Sequence, residues 1–169
     1  MLFRSGQRPA NHPHRRIGAL AALVGVWPAF RRLALARSFQ VKPLLDFLSG
    51  LESPFWSHRH TLTSGASQRK IALIGRSHAL ELVANHLAPL ALHEERMTRA
   101  AYLKLRASAT NERVKRCAIR LFGSEESAKP WLKHLHRHQA LLQIYQDFCL
   151  EDFSDCKQCP FPEQLAQWK

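Results

Sequence analysis

No stretch of this chain alternates apolar and polar residues over more than four positions, which removes the usual signature of a half-buried strand. Apolar side chains recur instead at steps of three and four, the spacing that lines one face of a helix. Leu44, Leu45, Phe47, Leu48 and Leu51 give one broad face, and Leu73, Ile74, Leu80, Ala84 and Leu87 give another. The expected fold is all-α: an irregular multi-helix domain of six to eight helices. With 169 residues, 46% hydrophobic and 22% charged, the chain is long and apolar enough for a real core and reads as globular.

Prolines and small polar residues divide the pattern. Residues 1–14 read as extended chain around Arg8-Pro9 and His12-Pro13, with Asn11 as a turn or cap, followed by a helix over 15–26. Pro28 suits the first turn of a second helix running to about Ser38, and Pro43 opens a third that stops at Gly50. Residues 52–68 (ESPFWSHRHTLTSGASQ) carry no helical period and are expected to be a loop. A helix is expected from Ile71 to Leu90, ended or kinked by Pro89, and another over 94–106 before a polar break at Ser108-Ala109-Thr110. Thr110 or Asn111 caps the next, which closes at Phe122-Gly123. Ser124 with Glu125-Glu126 starts a short helix, and Trp131 to Phe148 reads as the last long one.

The formal charge is +12, and its distribution says more than its sum. Eight Lys and Arg residues precede the first acidic one, Asp46; residues 1–146 carry +15 and residues 147–169 carry −3. The expected organisation is a basic helical body, residues 1–148, with an acidic cysteine-containing tail, residues 149–169, packed on it. Such an excess favours phosphates, acidic proteins or anionic lipid as partners over cationic ones.

Ile17 to Ala29 is apolar and follows Arg15-Arg16, like the charged flank and hydrophobic segment of an export signal. The Pro-rich lead and Trp27-Pro28 argue against that. The three- and four-residue steps of Ile17, Leu20, Val24 and Trp27 predict a buried core helix instead. No apolar run reaches the ~18 residues that a membrane-spanning helix needs. Cys149, Cys156 and Cys159 cluster, Cys117 stands apart on a helical stretch, and four cysteines in a helix-rich basic chain read as reduced and cytoplasmic.

Several stretches in order resemble a family of uncharacterised bacterial proteins, DUF2851. They are Arg8-Pro9-Ala10-Asn11-His12-Pro13 with Ala21-Ala22-Leu23, Phe55-Trp56-Ser57-His58, Asn85 with Leu87-Ala88-Pro89-Leu90, and Asn111-Glu112-Arg113. Gln139 to Leu142, Tyr145, Cys149, Cys156 and Cys159 continue the resemblance. It implies a helical C-terminal part of a longer architecture whose strand-rich N-terminal part, in relatives, has an acid and histidine pattern like metal-dependent nuclease cores. Nothing in this sequence matches that part, so a fragment, a split gene or a stand-alone helical domain is expected.

Cys149-x6-Cys156-x2-Cys159 is the sharpest local signal, because a two-residue spacer lets two thiolates reach one metal. The spacing is similar to the first three cysteines of the cluster loop in the endonuclease III class of DNA glycosylases; the fourth would fall where this chain has Leu165. Zinc or an iron–sulfur cluster is one expectation, with His134 and His138 (i, i+4 on a helix face) or Cys117 completing the set. Reduced cysteines packing the C-terminal turn are the other. Most of the ten histidines read as exposed polar residues, while on an extended loop His58 and His60 would point together, beside Trp56.

Arg113, Arg116 and Arg120 would share a helix face able to track phosphates, and Arg8, Asn11, Arg15 and Arg16 form a second candidate anion patch. A solvated helix face, and a turn fixed by Asn11 and Arg8, are the respective alternatives. No carboxylate pair, phosphate loop or nucleophile motif supports an enzyme complete in this chain. The expected function is a nucleic-acid-binding accessory region of a nuclease-like bacterial protein. A purely structural interaction domain that covers a missing region or partner chain is the alternative.

Overall fold

The computed structural model describes residues 12–107, 110–150, 156 and 159–168. Among these there is no strand, only an isolated antiparallel bridge between Arg106 and His134. The chain forms two compact units, residues 1–97 and 98–169. The first holds α1 (Pro13–Gly25), α2 (Trp27–Ala34), α3 (Val41–Ser49), α4 (Arg76–Leu82) and α5 (Ala88–His93). The second holds α6 (Arg99–Leu103), α7 (Glu112–Phe122), α8 (Glu125–Ala128), α9 (Leu135–Ile144) and α10 (Phe161–Gln167). The fold is all-α, with α4 and α5 joined by a π-helical turn over Val83–Leu87. The unit boundary at 97/98 differs from the expected division at 148/149. The tail belongs to the second unit, where Phe161 of α10 is buried and its ring lies 5.1 Å from that of Phe148.

In the first unit Leu44 and Leu48 of α3 are buried, as are Ala79, Val83, Ala84, Ala88 and Ala91, and α3 contacts α4 and the π-helical turn. The alanines let α3 and the α4–α5 helix approach closely. Pro89 does not end that helix. The wide turn at 83–87 re-spaces the backbone ahead of it, which accommodates a residue that lacks an N–H. The helix begins at Arg76 rather than Ile71, although Leu73 and Ile74 of its non-helical lead are buried.

The helix expected over 94–106 shrinks to α6. Glu95 takes a left-handed backbone (φ 56°), and the Thr98 side chain accepts the Ala101 N–H. In the second unit Asn111 and Ser124 cap α7 and α8, and Gly123 closes α7 at φ 81°. The long helix expected from Trp131 is broken at His134. Backbone bonds from Ala107 N–H to the Lys133 carbonyl and from Leu135 N–H to the Leu105 carbonyl hold this residue extended. Val114, Cys117, Ala118, Ala128, Leu141 and Tyr145 make the core here.

The largest departure from the sequence reading concerns α1. Its buried residues are Arg15, Gly18 and Ala19, whereas Ile17, Leu20, Val24 and, on α2, Trp27 are exposed. The expected core helix is thus turned about, and its inner face carries a charge. Arg15 is only 2% exposed. Its Nη1 donates to the carbonyls of Trp56 and Arg59 at 2.7 Å each, and its Nη2 to those of Ile71 (2.9 Å) and Ala72 (2.6 Å). Burial lowers its pKa from the usual value, yet a guanidinium starts so high that it stays charged.

This fork joins Trp56 and Arg59, within the expected loop, to Ile71 and Ala72, which are expected to start a helix but are not helical. Within that segment, Ser57 receives the Ser53 N–H and His58 Nδ1–H donates to the Ser67 carbonyl at 3.0 Å. Gly18 lies under the Trp56 indole, and a Cβ there would come within 2.5 Å of the ring.

Arg15→Met leaves four carbonyls without their donor and is expected to cost on the order of 3 to 5 kcal/mol. Arg15→Lys keeps the charge but not the fork geometry and should recover only part of that loss. Gly18→Ala forces the indole aside, at about 1 to 3 kcal/mol. Urea unfolding midpoints of the three variants check all of these.

Candidate anion-binding faces and a thiol cluster

Helix α7 repeats a simple plan. Val114, Cys117 and Ala118 turn inward, so Arg113, Arg116 and Arg120, at i, i+3 and i+7, emerge together on the solvent side. Asn111 Oδ1 accepts the Val114 N–H at 2.8 Å and fixes the start of the helix. The fourth cation of α7, Lys115, is taken by Glu125 of α8 at 3.0 Å. None of the three arginines has an ion pair among the described residues. The structure therefore brings this predicted trio onto one exposed face without ion pairs, Arg120 also hydrogen-bonding Cys149.

The other predicted patch is not assembled in the same way. Arg8 and Asn11 lie outside the described residues. Arg15 needs correction: its guanidinium is buried and spent on four carbonyls, so it is a structural arginine with no donor pair left to offer a phosphate. Arg16, one residue on, is exposed.

Sequence reasoning missed a neighbouring arrangement. Trp27, Pro28, Arg31, Arg32 and Leu35 line a shallow groove of about 550 Å³ along the outer face of α2. The i, i+4 spacing of Trp27, Arg31 and Leu35 was the available signal. Phe30, one turn on, has its ring centroid 5.2 Å from that of Trp27 and 6.3 Å from that of Phe47 on α3.

The clustered cysteines of the sequence also meet in space. Cys149, Cys156 and Cys159 line one cavity of about 180 Å³ with Arg120, Phe148 and Phe161. Cys117, buried in the core, shares a hydrogen bond with Cys149, and Arg120 donates to Cys149 from the other side. All four cysteines are free thiols. Burial foremost, then the neighbouring Cys149, pushes the Cys117 thiol up to about 12.

Among the described residues no group of three His, Cys, Asp or Glu side chains is arranged to hold a metal ion. The expected histidine pair is also corrected. His134 sits in extended backbone ahead of α9, so it does not share a helix face with His138. The buried His138 has its Nε2 2.8 Å from the Leu132 carbonyl, and Nε2–H donates there. His134 lies instead beside His136, with ring centroids 5.6 Å apart.

The thiols should differ sharply in reactivity. A rise from 9.0 to about 12 leaves Cys117 roughly a thousandfold less thiolate at neutral pH than an ordinary cysteine. Timed iodoacetamide labelling of the native protein, read by peptide mass, should find the exposed Cys156 modified first and Cys117 last. Equal labelling of the two would contradict the buried position of Cys117.

Among the described residues no single helix is long and apolar enough to cross a membrane; α1 and α2 pass such a test only as a pair bent by 81°. No curated protein and no solved structure matches the chain significantly. A family model described as "Protein of unknown function (DUF2851)" matches residues 3–116. The match takes in α1 to α6 and the first part of α7, and stops short of the Gln139-to-Cys159 stretches. Two thirds of the sequence lie within it, and the chain belongs to the DUF2851 family.

Proposed function

We propose that this chain is a nucleic-acid-binding helical domain and that α7 supplies its contact face. The observation that carries this reading is the trio Arg113, Arg116 and Arg120: exposed, on one face, and free of carboxylate partners among the described residues. At ~1.5 Å rise per residue the trio spans about 10 Å, comparable to about three phosphate steps of one strand at ~3.4 Å each. Guanidinium forks suit phosphate oxygens better than ammonium groups do. The face holds cations but no base-reading aromatic, so affinity comes from the backbone and carries little sequence preference.

The test is the salt dependence of binding to a fluorescent duplex and to a single strand of equal length. Replacing three phosphate contacts at once, in an Arg113→Gln/Arg116→Gln/Arg120→Gln variant, should flatten the slope of log K against log salt by about 3 on a duplex. The mutated side chains are exposed, so an unchanged circular dichroism spectrum serves as the folding control. Undetectable binding of the unmodified chain at low salt, or a slope unmoved by the triple variant, would refute the α7 assignment.

A further inference from the structure

Helices α1 and α2 each expose apolar side chains beside arginines, two properties that water alone does not reward. Ile17, Leu20 and Val24, at i, i+3 and i+7 of α1, are 65%, 61% and 61% exposed, and Trp27 at the bend is 48% exposed. Three aliphatic side chains aligned on one helix form a continuous apolar stripe, unlike scattered surface leucines. Arg16 flanks the stripe on α1, while Arg31 and Arg32 flank Trp27 and Leu35 on α2. None of these arginines has an ion pair among the described residues, and no Asp or Glu occurs before Asp46.

We infer that α1 and α2 form a docking surface for an anionic lipid bilayer, on which they lie in the interfacial plane without spanning it. Charge complementarity selects this occupant. The surface needs a partner that is apolar over the aliphatic stripe and negative around it, and an anionic membrane interface presents both in one plane. A nucleic acid would satisfy Arg31 and Arg32 but leave Ile17, Leu20 and Val24 in water. A second copy of this chain would bring Arg16, Arg31 and Arg32 against their own like charges. Tryptophan suits the headgroup boundary, since its ring is apolar and its N–H polar, and long arginines reach from that depth to phosphates. The 81° bend between α1 and α2 rules out one straight span of the two.

The inference concerns a different face from α7, so the two readings fail separately. The full chain is mixed with phosphatidylcholine vesicles, with and without about 30% phosphatidylglycerol, and bound protein is measured by flotation at physiological salt. Binding is expected on the anionic vesicles only. Arg16→Gln/Arg31→Gln/Arg32→Gln should weaken it about 100-fold, at roughly fivefold per arginine. Ile17→Ser/Leu20→Ser/Val24→Ser should weaken it at least tenfold, and Trp27→Phe should abolish the vesicle-induced blue shift of emission. The α7 triple variant should bind vesicles as the unmodified chain does.

Three outcomes would overturn the inference. One is an absence of vesicle binding, and another is binding that survives the serine variant. The third is loss in the α7 variant equal to that in the α1–α2 arginine variant, which would mark mere cationic attraction. Self-association abolished by the serine variant, without vesicle binding, would assign the stripe to a second copy instead.

Discussion

The guanidinium of Arg15 and the four carbonyls around it decide how the first unit is built. A buried charge without a carboxylate partner is ordinarily destabilising, and only dense hydrogen bonding makes it tolerable. Here the carbonyls of Trp56, Arg59, Ile71 and Ala72 supply negative dipole ends from both arms of one irregular segment. Loops of that length without secondary structure are uncommon in compact domains, because so many backbone groups must be satisfied and ordered together. The fork of Arg15 satisfies four of them from a single rigid, planar group. Lysine, a point charge on a flexible stem, has no equivalent geometry.

The same interaction explains the orientation of α1. Successive residues of a helix are rotated by about 100°. Once Arg15, Gly18 and Ala19 face inward, Ile17, Leu20 and Val24 are carried to the far side. Gly18 reinforces the choice, since the Trp56 ring occupies the space a side chain would take. The apolar stripe is therefore exposed as a geometric consequence of burying the arginine. Hydrophobic periodicity in the sequence locates such a stripe but does not say which way it points. The rule that apolar faces turn inward loses here to a polar cage whose members lie more than forty residues further along the chain.

Local signals were otherwise legible. Asn111, Ser124 and Gly123 do what their side chains and backbone freedom allow, and the helices they delimit stand where expected. Features that depend on contacts distant in sequence were not legible. His134 leaves the helical path because the backbone around it pairs with residues 105–107. Pro89 is absorbed by a π turn that no residue type announces. For the thiols, the closeness of Cys149, Cys156 and Cys159 is written in their spacing. The hydrogen bond between Cys117 and Cys149 arises only when α7 packs beside the end of α9.

Net charge proves a coarse guide because the cations divide by environment. Arg15 is consumed by carbonyls, and Arg96 is held by Glu94 and the carbonyls of Ala34 and Ala36. Arg76, Lys70, Lys115 and Lys129 each have an acidic partner. Arg16, Arg31 and Arg32 in the first unit and Arg113, Arg116 and Arg120 in the second have none among the described residues. What separates these two sets is their surroundings. On α7 the arginines sit beyond a buried face of Val114, Cys117 and Ala118, so only charge is offered to a partner. On α1 and α2 exposed aliphatic and aromatic side chains accompany the charge, so a ligand made of phosphates alone would leave half of that surface unsatisfied. Equal counts of arginine thus present different chemistry, and the difference traces back to which face of each helix the core claimed.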